Sequence, residues 1–114
     1  MTARGVLPLL VTLPLAAAAA CTSALPHATP GDLRWARQRW PGTGEQDLSA
    51  GRALYVETCS GCHNLHLPTD LPQGRWQHTV RLMQTEHGVR ITPGNEQLIV
   101  KYLVTMSWRD GRGE

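Results

Sequence analysis

The sequence predicts an all-α domain, and three observations carry that prediction. Apolar residues recur at helical spacing in three separate segments, no stretch alternates apolar and polar residues as a half-buried strand would, and no internal repeat is present. The chain has 114 residues and no Phe. Its independent core, expected over 45–108, is roughly 64 residues long, which is marginal for a side-chain core alone; chains this short usually need a metal, a disulfide or a cofactor. Something other than side chains is therefore expected to fill the middle.

In chain order, residues 1–20 come first. They carry one charged side chain, Arg4, then an apolar run from Val6 that ends in five alanines before Cys21. A short basic end, an apolar stretch and small residues at the cut form the layout of a secretory signal. The run is too short and too interrupted to be a good membrane span, which needs about 20 apolar residues. Cys21 directly follows Ala18-Ala19-Ala20 and resembles the bacterial lipobox, with Ala18 where Leu is usual; this implies a lipidated Cys21 as the first mature residue. Ordinary cleavage among the alanines would instead leave Cys21 a thiol and the protein soluble in the periplasm. Thr22 stands where an Asp would signal retention at the inner membrane, so an outer-membrane anchor is the expectation. Three cysteines would leave one unpaired in an exported chain; a lipid on Cys21 and one cofactor shared by Cys59 and Cys62 remove the odd thiol.

Removal of residues 1–20 takes away Arg4, leaving ten basic against nine acidic side chains. A balance near neutrality gives no nucleic-acid footprint and no polybasic tract. Residues 21–44 read as the lipid-anchor cysteine and a Pro-, Gly-, Ser- and Thr-rich tether, with a helix-compatible piece at 32–40. Trp35 and Trp40 within it predict that this arm packs on the domain rather than forming a partner-binding strip.

The first core helix is expected in "QDLSAGRALYVETC", with Leu48, Ala53, Leu54 and Val56 among strong helix formers and Asp47 or Ser49 as N-cap. The second, "GRWQHTVRLMQTEHG", sets Trp76, Val80, Met83 and His87 on one face, bracketed by Gly74 and Gly88. The third, "TPGNEQLIVKYLVTM", opens on Thr-Pro and carries Leu98, Ile99, Tyr102, Leu103 and Met106 at helical spacing. A Pro- and Leu-rich loop, "NLHLPTDLPQ", joins the first two. Residues 109–114 form a C-terminal tail.

The chemistry concentrates in Cys59-Ser60-Gly61-Cys62-His63. A structural zinc site normally needs four ligands, often from two separated pairs, and the chain has no second Cys pair. A thioredoxin-like disulfide motif would sit in a βαβ pattern, which is lacking. The C-x-x-C-H run is the c-type haem attachment signature: two thiols add to the vinyl groups and the adjacent imidazole reaches the iron. Export agrees with this, because bacteria attach haem c outside the cytoplasm.

On these residues the chain resembles the class I c-type cytochromes. That family has a Gly eight residues and an aromatic four residues before the first haem cysteine, packing against an aromatic of the last helix. Here Gly51 and Tyr55 hold those places and Tyr102 lies in "IVKYL". The resemblance covers roughly residues 48–103 and implies a small fold of three main helices around one covalent haem c. It also implies His63 as proximal iron ligand and a Met between motif and last helix as distal ligand. Met83, twenty residues after His63 and nineteen before Tyr102, fits; His87, one turn on, and Met106, at or past the helix end, are the alternatives. His78 points off that face, His66 is too near the anchor to reach round the macrocycle, and His27 belongs to the tether. The family implies a proline carbonyl that accepts from His63, here Pro68 or Pro72. Arg75, Arg81 and Arg90 are candidate partners of the propionates.

The function expected is a His/Met-ligated, single-haem electron carrier of the cell envelope, not an enzyme by itself. It would be tethered to the membrane by lipid and serve redox partner proteins, with no nucleic-acid partner. The alternatives are a gas-binding or sensory haem protein with an open distal site, a small haem subunit of a larger oxidoreductase, and an interaction lipoprotein with a vestigial haem site.

Overall fold

The computed structural model describes residues 25–61 and 64–108. The expected leader over 1–20, Cys21, Cys62, His63 and the tail over 109–114 lie outside the described residues. Among the described residues the chain is all-helical: α1 Pro30–Arg39, α2 Glu45–Cys59, α3 Gln73–His87 and α4 Pro93–Ser107, with a 3₁₀ turn at Pro68–Asp70 between α2 and α3. No helix among them is long and apolar enough to cross a membrane.

Local chemistry sets the boundaries. Thr29 and Asp32 cap α1 reciprocally: Thr29 Oγ1 accepts from the Asp32 N–H (3.3 Å) and the Asp32 carboxylate accepts from the Thr29 N–H (2.6 Å). With Pro30 preset for a first helical position, the helix begins there, two residues before the piece expected at 32–40. Helix α2 starts at Glu45, so Asp47 is not its N-cap but reaches back from the first turn to accept from the Gly44 N–H (2.8 Å), and Ser49 falls in the interior. Gly74 lies inside the first turn of α3 rather than before it, whereas Gly88 ends that helix at φ 68°, a left-handed conformation that costs glycine little. Thr92 caps α4 by accepting from the Asn95 N–H (3.3 Å).

Helix α4 is the hub: it packs most extensively on α2 and also meets α1, α3 and the 3₁₀ turn. A Cβ at Gly51 would overlap the Leu98 carbonyl oxygen and stand 2.8 Å from Tyr102 Cβ. Only glycine permits that approach, so the α2–α4 crossing sits where Gly51 and Tyr102 were expected to meet. Leu48, Tyr55, Ile99, Tyr102, Leu103 and Met106 are all buried around it. Met106 lies at the end of α4, one residue before its last, and is fully buried there.

Of the tether expected over 21–44, residues 25–44 belong to the packed body. Leu25 is only 4% exposed, and its carbonyl accepts from Arg52 Nε and Nη2 (3.3 and 3.2 Å). The next carbonyl, of Pro26, accepts from the Tyr102 hydroxyl (2.8 Å). Trp35 stacks on Trp108 (centroids 6.2 Å apart, planes 7° apart) and meets Trp40 edge-on (6.4 Å, 74°). Burying this apolar surface, at about 25 cal/mol per Å², outweighs the freedom that a Pro/Gly-rich composition suggests. The turn into α2 is closed by Thr43, whose hydroxyl donates to the Trp40 carbonyl (2.7 Å) and whose own carbonyl accepts from Arg37 Nε (2.9 Å).

Candidate functional site

One cavity, about 470 Å³, brings together Cys59, Met83 and His87 of the residues that the sequence singles out. It lies within the roughly 300–1,000 Å³ range of small-molecule and cofactor sites. Its first wall is the C-terminal end of α2, where Tyr55, Thr58 and Cys59 turn inward. Its second is one face of α3: Trp76, Thr79, Val80, Met83 and His87. These five recur at helical spacing, so each side chain stands above its neighbour along the helix. Val89 and Ile91, from the segment linking α3 to α4, and Leu71 and His66, from the loop after the motif, complete the lining. Lys, Arg, Asp and Glu are missing from the lining among the described residues.

Two hydrogen bonds hold the loop against this chamber. The Trp76 indole Nε1 donates to the Pro68 carbonyl (2.8 Å, buried), and the Tyr55 hydroxyl donates to the His66 carbonyl (2.8 Å). The two rings meet edge to face, with centroids 6.3 Å apart at 76°. They brace the α2 wall against the α3 wall while their polar tips pin the loop. Burial pushes the Tyr55 phenol well above the ordinary tyrosine range, and Cys59, Tyr102 and Asp70 nearby push it in the same direction. Tyr55 therefore stays a neutral donor across physiological pH.

Of the candidate metal donors, Cys59 and Met83 line this cavity from α2 and α3, and both are half-buried. His87 lines it one turn beyond Met83 and is exposed. Met106 does not line it; its thioether is fully buried in the core. His66 lines the mouth and lies 3.6 Å from the Asp70 carboxylate, whereas His78 and His27 are exposed elsewhere. Cys62 and His63, which the motif assigns to the same site, and the proposed lipid site Cys21 are outside the described residues. Among the described residues no group of three or more His, Cys, Asp or Glu could hold a bare metal ion.

The three arginines expected near the site are absent from its walls. Arg81 pairs with Glu96 on α4 (3.4 Å), and Arg75 and Arg90 are exposed without lining the cavity. Polarity at the mouth comes instead from Thr58, Thr79, His66 and His87. Thr79 was legible from spacing, three after Trp76 and four before Met83. Val89 and Ile91 follow the helix-ending Gly88, where periodicity carries no information. A second, larger cleft of about 710 Å³ lies between the end of α1, α3 and α4. Arg81, a candidate propionate partner, lines it, but neither Cys59 nor Met83 does, so volume alone does not locate the chemistry.

Both proline carbonyls proposed as acceptors are engaged once: Pro68 by Trp76, and Pro72 by the Arg75 N–H (3.0 Å). A carbonyl oxygen has two lone pairs, so each retains capacity for one more donor. Compared with known proteins, the chain matches no family model, no curated protein and no solved structure.

Proposed function

We propose that this chain is a single-haem c-type cytochrome of the class I kind that carries electrons one at a time in the bacterial cell envelope. The observation that carries this reading is the shared cavity: Cys59, the first cysteine of a C-x-x-C-H motif, and Met83 line one apolar chamber from two different helices. The glycine-dependent crossing of α2 on α4 at Gly51 and Tyr102 adds support. In this reading Cys59 and Cys62 hold haem c, and His63 and Met83 are its axial ligands.

The residues present fit such a group. The chamber is bounded mainly by aromatic and aliphatic side chains, as a flat apolar macrocycle requires, with Thr58, Thr79, His66 and His87 among its polar lining. A bound haem would supply a one-electron iron couple, and the chain would contribute the iron donors and the apolar pocket that holds it. Met83 offers a neutral sulfur, which favours the reduced state. Trp76, Val80 and Ile91 exclude water, and the Trp76–Pro68 and Tyr55–His66 clasps keep the loop after the motif from moving. Rigid walls suit electron transfer, because little has to reorganise when the charge changes. Cys21 carries the acyl chains that attach the protein to the membrane, and the partners are redox proteins of the envelope. The chain is a carrier rather than an enzyme.

The deciding experiment is optical. Chain matured with haem c should keep the pigment through acid-acetone extraction and lose it in Cys59→Ala/Cys62→Ala. Its ferric form should show the weak near-infrared band of Met-sulfur ligation, lost in Met83→Ala and kept in His87→Ala. Loss of that band in His87→Ala alone, or a prompt spectral shift when CO meets the reduced protein, would replace the closed carrier with an open or differently ligated site.

A further inference from the structure

We propose that the larger cleft, between the end of α1, α3 and α4, is a docking site for a short acidic segment of a partner protein. This goes beyond the proposed function and does not draw on the haem, because α3 turns a different face to each cavity. Gln73, Gln77 and Arg81 line the cleft, whereas Trp76, Val80 and Met83 line the chamber. Pro93, Val100 and Val104 of the cleft share one face of α4. The Gln73 amide donates to the Val104 carbonyl (3.4 Å) at one end, and Arg81 meets Glu96 (3.4 Å) at the other. The groove therefore runs along α4 from Pro93 to Val104, about 16 Å at the helical rise per residue. That length takes about five residues of extended chain. Pro41, Gln77 and Gln97, which also line it, are exposed, so an occupant stays open to solvent on one side. A small molecule is usually enclosed more completely; a segment of a larger protein is not.

Charge decides the chemistry of the occupant. Arg39, Arg81 and Lys101 line the cleft against a single carboxylate, that of Glu96. Glu96 is already committed: one of its oxygens lies 3.4 Å from Arg81 Nε and the other accepts from the Gln84 amide (3.0 Å). Neither Arg39 nor Lys101 has a carboxylate within ion-pair distance among the described residues. Lys101 is half-buried, so its ammonium has lost part of its water, and an incoming carboxylate is the partner that stabilises it most. Apolar surface lies beside these cations. Val104 is buried and Val100 half-buried, while Trp40 is held edge-on by Trp35 (6.4 Å) and lies under Arg39, 5.2 Å from its ring centroid. Trp and Arg are the residue types that carry most binding energy at protein interfaces, and holding them in place beforehand lowers the ordering cost of association. An extended segment turns successive side chains to opposite sides, so acidic residues that alternate with apolar ones match both parts of the lining.

The test uses full, haem-loaded chain with Cys21→Ser, reduced and isotope-labelled, and the peptide Glu-Leu-Asp-Leu-Glu capped at both ends. Its uncharged counterpart, Gln-Leu-Asn-Leu-Gln, is the comparison, and binding is read from backbone amide resonances during titration. The acidic peptide is expected to move the signals of Gln97, Lys101 and Val104, with an affinity that falls as salt rises; the uncharged peptide is expected to leave them in place. Arg39→Gln/Lys101→Gln should weaken binding at least about tenfold. Arg34→Gln/Arg90→Gln removes as much charge outside the cleft and should change it by less than about twofold, with the same helical circular dichroism in both variants. No shifts with the acidic peptide at low salt, equal binding of the two peptides, or shifts centred on the α3 face that carries Met83 would overturn the proposal. So would an equal loss in both pairs of variants. Binding that appears only when residues 109–114 are deleted would assign the cleft to the chain's own tail and overturn it as well.

Discussion

Gly51 is the single residue on which the contact between α2 and α4 depends. Its missing Cβ leaves room for the Leu98 carbonyl, a backbone atom that cannot rotate away as a side chain could. Gly51→Ala is expected to force the helices apart and cost about 1–3 kcal/mol, the range of core overpacking, read as a lower urea midpoint at unchanged slope. Tyr55 gives a pH-dependent counterpart. Its folded-state pKa is raised by burial, so the unfolded chain loses that proton first as pH rises. Its stabilising contribution is complete below the unfolded value near 10 and shrinks above it. Thermal midpoints should therefore fall from about pH 10 upward, and Tyr55→Phe should flatten that decline. At lower pH the same variant should cost about 1 kcal/mol for the lost bond to the His66 carbonyl. Gly51 was legible because spacing from Cys59 placed it; the hydrogen bond of Tyr55 was not, since its acceptor is a loop carbonyl eleven residues on.

At the scale of elements, α3 carries the largest share of the candidate site and separates it from the larger cleft. Trp76, Val80, Met83 and His87 face the cavity, while Arg81 faces α4 and pairs with Glu96. Its C-terminal cap bears directly on Met83, whose carbonyl receives the N–H groups of Gly88 and Val89 (3.1 Å for Val89). Gly88→Ala introduces a Cβ at positive φ and should cost about 1 kcal/mol. It should also weaken the near-infrared sulfur band more than an equally destabilising change at Thr92, where Ala removes the N-cap of α4 at about 1 kcal/mol. Comparing the two by denaturation and by spectrum separates strain at Met83 from general loss of stability. The helix itself was readable from its 3.6-residue apolar period, but the first turn was not. Gly74 looked like a boundary and proved interior, because Pro72 starts the helix one residue earlier.

For the whole molecule, the decisive feature is that residues 25–44 belong to the packed body. Residues 25–44 supply Leu25, Ala36 and Trp35 to the packing and bring the Pro26 carbonyl to Tyr102. Deleting 25–44 should abolish the cooperative thermal transition followed by circular dichroism, since the remaining chain is close to the lower size limit for a core. Tyr102→Phe, a milder version, should cost about 1 kcal/mol and leave the transition cooperative. Full retention of stability by the truncated chain would restore the boundary at residue 45.

The sequence by itself determined the all-helical class and the positions of the helices within a few residues, and its resemblance to class I c-type cytochromes implied the grouping of Cys59 with Met83. Each of these depends on spacing along the chain: apolar period, capping chemistry and the interval between motif and methionine. The tertiary structure alone decided which groups hold residues 25–44 against the body, that Met106 belongs to the core, that Arg81 is committed to Glu96 and that Val89 and Ile91 close the cavity. Those outcomes turn on how helices cross and which surfaces they bury. A one-dimensional pattern carries the faces of helices but not the angle at which Gly51 lets two of them meet.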